Sequence, residues 1–182
     1  LTAAKTAPAE GGACSRTRGV IGGGINGNTT IDYITVSSTG NAADFGDLTY
    51  NVMQASGFSS QIRGIFAGGY SPQPSIVDTI NYVTIAQTGN AVDFGNLTAA
   101  WRGAGGCASS TRGIWAGGRD PSGISNVIQY ITITTTGDAL DFGDLTDQKD
   151  FLAAGSNSTR GIITGGRTPS ASNVIEYITI AS

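Results

Sequence analysis

The chain has 182 residues, of which 13% are charged, with a formal net charge of -3 and no histidine. Lysine occurs only at Lys5 and Lys149, so the basic footprint that nucleic-acid binding needs is missing; without histidine, His-based acid–base catalysis, the Ser-His-Asp triad and His-ligated metal sites are excluded together. No run of about 18 apolar residues could cross a membrane as a helix, and no basic-then-apolar leader opens the chain, so membrane insertion is not expected.

In chain order, the first repeat (residues 1–47) opens with Leu1-Thr2 and reaches a flat Gly/Ala segment, GGACS. There follow SRTRGVIGGG (15–24), the Tyr-centred TTIDYITV, and TGNAADFGDLT (39–49). The second repeat (48–96) restates this as MQASGF, SQIRGIFAGG, DTINYVTI and TGNAVDFGNLT. The third (97–144) reads GAGGCAS, STRGIWAGG, NVIQYITI and TGDALDFGDLT. The fourth (145–182) reads FLAAGSN, STRGIITGG and NVIEYITI, with no copy of the DFGDLT segment. Tyr33, Tyr82, Tyr130 and Tyr177 are 49, 48 and 47 residues apart. A fixed period of this size defines a repeat architecture, and a motif found once per repeat is first of all a scaffold part.

Each repeat divides into four short segments. The second and third are β-branched and bounded by Gly and polar residues, which predicts strands. In the third segment Ile80 and Tyr82 lie on one face and Val83 and Ile85 on the other, as in a sheet covered on both sides. No segment holds a helical period with caps, so almost no helix is expected. The small first segment suits an innermost strand where blades converge. Four short strands per repeat predict an all-β propeller of about four blades. The chain thus carries four repeats less one fourth segment, which fits a small ring lacking one outer strand or a piece of a larger ring or array.

A strand ending in Gly-Gly, a variable loop, a Tyr strand and a later aromatic together resemble the kelch repeat. The doublets are Gly22-Gly23, Gly68-Gly69, Gly117-Gly118 and Gly165-Gly166, and the aromatic is Phe45, Phe94 or Phe142 where kelch proteins usually carry Trp. The Arg that opens the second strand has no place in that pattern. The phrase TRGIxAGG…NVIxYITIxTTGNAxDFGDLT also looks like repeats in structural proteins of marine tailed phages, particularly those of cyanobacteria. These resemblances imply a propeller fold and, through the phage likeness, a place on the virion; kelch propellers themselves serve many functions.

Several motifs are discounted. DFGD and DFGN match the kinase Mg²⁺ motif in wording, but they recur three times without the partner motifs. GGGING (22–27) has a dinucleotide-like spacing but lies between two strands. Cys14 and Cys107 read as small buried side chains rather than a disulfide. The repeated Arg18, Arg63, Arg112 and Arg160 and the repeated Asp44, Asp93 and Asp141 are expected to form structural Arg–carboxylate pairs or, for the Arg, to bond backbone carbonyls. A Ca²⁺ site on Asp44 and Asp47 and their equivalents is the rival, weakened by Asn96 in one copy and by an incomplete set of oxygen ligands. No metal and no cofactor is expected.

Comparison of the repeats separates two rims. The turns between first and second and between third and fourth segments hold their sequence. The loops between second and third segments (INGNT, YSPQPSIVD, RDPSGIS, RTPSAS) and the stretches after each Leu-Thr do not. Both variable sets emerge at one end, where Tyr50, Tyr70, Trp101, Arg119, Asp120 and Arg167 are the candidate binding residues. The expectation is a non-enzymatic phage virion structural, decoration or tail-associated module on the particle surface. Its partners would be other virion proteins or a host-surface glycan or receptor, with self-association also open to a repeat array. The alternative is a cellular kelch-like adaptor or lectin-like domain, secreted or at the cell surface. Nothing in the residues offers catalytic chemistry.

Overall fold

A computed structural model describes residues 1–2, 4–5, 12–24 and 29–180. Every element among them is a strand. Blade 1 contains β1 (Ala13–Cys14), β2 (Arg18–Gly22), β3 (Thr30–Thr35) and β4 (Ala43–Asp47). Blade 2 contains β5 (Ser56–Ser59), β6 (Arg63–Ala67), β7 (Thr79–Thr84) and β8 (Val92–Asn96). Blade 3 contains β9 (Gly105–Ala108), β10 (Arg112–Ala116), β13 (Val127–Thr132) and β14 (Leu140–Asp144), with a two-stranded hairpin, β11 (Arg119–Asp120) and β12 (Gly123–Ile124), in its β10–β13 loop. Blade 4 has three strands, β15 (Asp150–Ser156), β16 (Arg160–Arg167) and β17 (Ile175–Thr179). Each blade is an antiparallel meander, and the four are arranged as a four-bladed β-propeller, open between blade 4 and blade 1 among the described residues.

The turn into each second strand is constant because one side chain closes it. Ser15, Ser60 and Ser109 Oγ accept the backbone N–H of Arg18, Arg63 and Arg112, and Asn157 Oδ1 accepts that of Arg160. Such local side-chain-to-backbone bonds are what Ser and Asn bring to turns. On one face of each blade the Arg guanidinium stacks on the Tyr of the third strand, with centroid distances of 4.7, 4.6, 4.5 and 4.5 Å for Arg18–Tyr33, Arg63–Tyr82, Arg112–Tyr130 and Arg160–Tyr177. The Tyr in turn meets the fourth-strand Phe edge-on in blades 1 to 3 (Tyr33–Phe45, Tyr82–Phe94, Tyr130–Phe142).

This aromatic face is the leading face, because it packs on the trailing face of the next blade. Val20, Ile31 and Phe45 of blade 1 share a core with Phe66, Val83 and Ile85 of blade 2. Ile65, Ile80 and Phe94 of blade 2 meet Trp115, Ile131 and Ile133 of blade 3. Ile114 and Ile128 of blade 3 meet Ile163 and Ile180 of blade 4. The Gly after the repeated Arg in blades 2 to 4 is required by this stacking. A Cβ on Gly64 would stand 2.7 Å from Ala13 Cβ, one on Gly113 would land on the Phe58 ring, and one on Gly161 would be 2.9 Å from Cys107 Sγ.

Of the two kinds of partner expected for the repeated Arg, the structure shows the backbone carbonyl and not Asp44, Asp93 or Asp141. Those three Asp side chains are exposed. Besides the Tyr ring, Arg18, Arg63 and Arg112 donate Nη1–H to the carbonyl oxygens of Ile85, Ile133 and Ile180, each on the following blade, at 3.0, 2.7 and 3.2 Å. The reason is geometric: the third strand stands between the Arg strand and the Asp strand, two inter-strand spacings or roughly 10 Å in all. The glycine doublet of blade 1 is Gly23-Gly24, one residue later than the sequence reading, since Gly22 belongs to β2. Gly24, Gly69 and Gly118 donate to the carbonyls of Val52, Trp101 and Lys149 in the inter-blade connectors, and Gly23, Gly68 and Gly117 have φ of 73, 67 and 61°, which only Gly adopts freely. Both cysteines are free, Cys14 exposed and Cys107 buried, and burial pushes the Cys107 thiol up to about 11.

Candidate functional site

The loops between second and third strands and the connectors after each Leu-Thr meet at one end of the blades, in register. Met53 pairs with Tyr70, Arg102 with Arg119, and Asp150 with Arg167, each pair antiparallel. Tyr70, Arg119 and Arg167 therefore occupy equivalent places, as do Met53, Arg102 and Asp150. The corresponding stretches of blade 1, 6–11 and 25–28, lie outside the described residues, and so does part of GGGING.

A cleft of about 660 Å³ opens here between blades 2 and 3, walled by Tyr70, Ile76, Arg102, Arg119, Asp120 and Pro121. A second recess of about 450 Å³ continues along Phe151, Gly166 and Arg167. Three of the charged groups are locked together. The carboxylate of Asp150, itself fully buried, accepts Arg119 Nε–H at 3.1 Å on one oxygen and Arg167 Nε–H at 2.9 Å on the other. Arg102 lies 4.7 Å from the Tyr70 ring centroid and 5.7 Å from that of Phe151, and Arg167 stacks on Phe151 at 4.7 Å. Among the described residues, Arg102 has no carboxylate partner: Nη1 reaches Gln54 Oε1 at 3.4 Å and Nε is buried without a hydrogen bond. Phe151 is held at φ 56°, a left-handed conformation that costs a bulky residue about 1–2 kcal/mol.

Of the residues proposed from sequence, Tyr70, Arg119, Asp120 and Arg167 come to this rim. Asp120 Oδ1 also accepts the N–H of Ser122 and Gly123, shaping its own turn at the cleft mouth. Of the other two proposed residues, Trp101 is not available as contact surface and Tyr50 only in part. Trp101 is only 4% exposed and packs in the blade 2–blade 3 core. Tyr50 is half-buried, and its hydroxyl donates to the carbonyls of Thr79 and Gly68; burial and the nearby Asp78 raise its pKa far above the ordinary phenol value. The residues that sequence reasoning missed are Arg102, Asp150 and Phe151. The residue types gave no clear signal for them: Val52 and Trp101 occupy the same connector position, three after Thr, and both are apolar, which marks that position as inward, but the next position holds the buried Asp150 as well as Arg102.

That inward position carries a second pattern. Lys5 and Lys149 fill it in blades 1 and 4, and facing it on the third strand are Asp32, Asn81, Gln129 and Glu176. The connector Thr donates its N–H to each in turn: Thr2 to Asp32, Thr49 to Asn81, Thr98 to Gln129, Thr146 to Glu176. The acids occur where the connector has Lys. Lys5 Nζ is 3.3 Å from Asp32 and Lys149 Nζ is 2.5 Å from Glu176. Burial pushes both carboxyls up, but the Thr hydrogen bonds and the ammonium more than offset it, and both end below their ordinary values. These pairs are structural, since they sit beneath the connectors and not in the cleft.

The opposite rim also carries a hollow, about 320 Å³ beside Ile62, Arg63, Ser110 and Ile133, in the turns that hold their sequence. No family model matches the chain, and no curated protein is similar to it.

Proposed function

We propose that the protein is a non-enzymatic binding module that grips an acidic partner, a protein or a surface glycan, in the rim cleft between blades 2 and 3. The observation that carries this is the coincidence of the cleft with the loops that differ from repeat to repeat, on a scaffold that does not differ. Loops on a rigid frame are where recognition is built, and Tyr and Arg are the usual carriers of binding energy. Arg102, stacked between two rings and without a carboxylate partner among the described residues, supplies a cation for a ligand anion. The strained backbone at Phe151 holds a ring at the surface of the same site. The likeness of the repeat to tailed-phage structural proteins supports display on a virion, with a virion protein or host glycan as the partner.

The experiment uses a glycan array and binding to the source particle. Tyr70→Ala with Arg102→Ala should lower binding by at least about tenfold, while Thr88→Ala with Thr136→Ala on the opposite rim should leave it unchanged. Binding that survives the first pair and fails with the second places recognition on the other face.

A further inference from the structure

The three blade-to-blade interfaces inside the chain define what each blade face is built to touch, and among the described residues two faces of that kind are left uncovered. On the leading face of blade 4, Ile175 is 70% exposed, whereas its equivalents Ile31, Ile80 and Ile128 are at most 2% exposed. Ile162 and Tyr177 beside it are exposed too. On the trailing face of blade 1, Val36 is 57% exposed, whereas Ile85, Ile133 and Ile180 are at most 1% exposed, and Ile34 is likewise uncovered. The polar fittings are open in the same way. Among the described residues, the Arg160 guanidinium has the Tyr177 ring and no carbonyl from a following blade. In blades 2 and 3 the loop before the fourth strand clasps the preceding blade, Gly89 and Ala91 donating to the carbonyls of Phe45 and Asp47, and Gly137 and Ala139 to those of Phe94 and Asn96.

We infer that the leading face of blade 4 binds the trailing face of blade 1 on a second copy of this chain, head to tail, as a continuation of the internal interface. The fittings match. By the register of the three internal contacts, Arg160 of one copy reaches the carbonyl of Val36 on the next, as Arg112 reaches Ile180. The complementarity of the two uncovered faces favours a copy of this chain over an unrelated partner. Thr2 occupies Asp32 as Thr49 occupies Asn81, so Leu1 and Thr2 take the places of Leu48 and Thr49. Leu48, Leu97 and Leu145, the equivalents of Leu1, each pack in one core with Ile31, Ile80 and Ile128 of the blade before. Leu1 is exposed, placed to meet Ile175 of the neighbouring copy. Such a contact is heterologous, so it closes into a ring or grows into a filament according to the rotation per copy. The inference concerns the blade faces and does not depend on the rim cleft.

The test is sedimentation velocity of the whole chain from low to high micromolar concentration, with circular dichroism to verify folding. The wild type should form species larger than a monomer as concentration rises. Ile175→Asp, which spoils only the leading face, and Val36→Asp, which spoils only the trailing face, should each be monomeric. Mixed together, the two variants should give a dimer and nothing larger, because one good face of each kind remains. Both substituted sites are exposed, so the blades should keep their fold. A wild type that stays monomeric, an assembly that persists in both variants, or a mixture that fails to pair would each overturn the inference.

Discussion

Arg63 and Arg160 occupy the same repeat position and differ in what surrounds them, which makes their comparison a measurement of the inter-blade bond. Arg63 stacks on Tyr82 and donates a charge-assisted hydrogen bond at 2.7 Å to the Ile133 carbonyl of the next blade. Removing it should cost about 1.5–3 kcal/mol for the hydrogen bond and about 0.5–1 kcal/mol for the ring contact. Arg63→Ala is therefore expected to destabilise the chain by about 2–4 kcal/mol, a fall in melting temperature of roughly 5–15 °C for a chain of this size. Arg160 is exposed and, among the described residues, its guanidinium has only the Tyr177 ring. Arg160→Ala should cost below about 1 kcal/mol. Both are read by thermal unfolding followed by circular dichroism at a concentration low enough to keep the chain monomeric. Equal shifts for the two variants would show that the carbonyl bond contributes nothing and that the argument from blade stacking is mistaken.

Two other outcomes follow from the packing. Gly113→Ala puts a methyl on the Phe58 ring and should cost about 1–3 kcal/mol, whereas Gly155→Ala, with nothing near the added atom, should change unfolding by less than about 0.5 kcal/mol; similar losses at both sites would refute the close approach of blades 2 and 3. The carboxyls of Asp32 and Glu176 lie below their ordinary values of 3.8 and 4.5, so their contribution is present above those values and is lost as pH falls through the lower, folded ones. Melting temperature should drop across that acid range. Glu176→Gln alone should destabilise by about 3–5 kcal/mol at neutral pH by stranding the buried Lys149, and adding Lys149→Met should recover most of the loss and flatten the acid slope. An acid profile unchanged in the double variant would show that the pair is not responsible.

The period, the strands and the two rims were legible because they are written in residue type: β-branched runs, a turn-closing Ser or Asn, and glycines at left-handed positions. The Arg contacts were harder to read, because a strand lies between the Arg and Asp strands and the real acceptor is a backbone oxygen on another blade, which has no letter. A clue was present nonetheless. Arg and Tyr recur together in all four repeats, including the fourth, where the DFG segment is missing. Tyr50 and Trp101 read as rim residues because they stand in variable stretches, yet variability there reflects different core fillings as well as different surfaces. Arg102 and Phe151 were hidden beside them, since only the fold shows which neighbour faces out.

The connector code of Lys5 with Asp32, Val52 with Asn81, Trp101 with Gln129 and Lys149 with Glu176 bears on how so self-similar a chain avoids assembling itself wrongly. Near-identical repeats invite one connector to settle on another blade, within the chain or between chains. A connector carrying Lys149 that docked against Asn81 or Gln129 would leave an ammonium buried without a counter-charge, and Trp101 forced against Asp32 would leave the carboxylate without its cation. Either error costs several kcal/mol, comparable with the whole stability margin of a domain. The pairs thus divide the blades into two classes, a Lys connector on an acid and an apolar connector on an amide, and penalise any exchange between the classes.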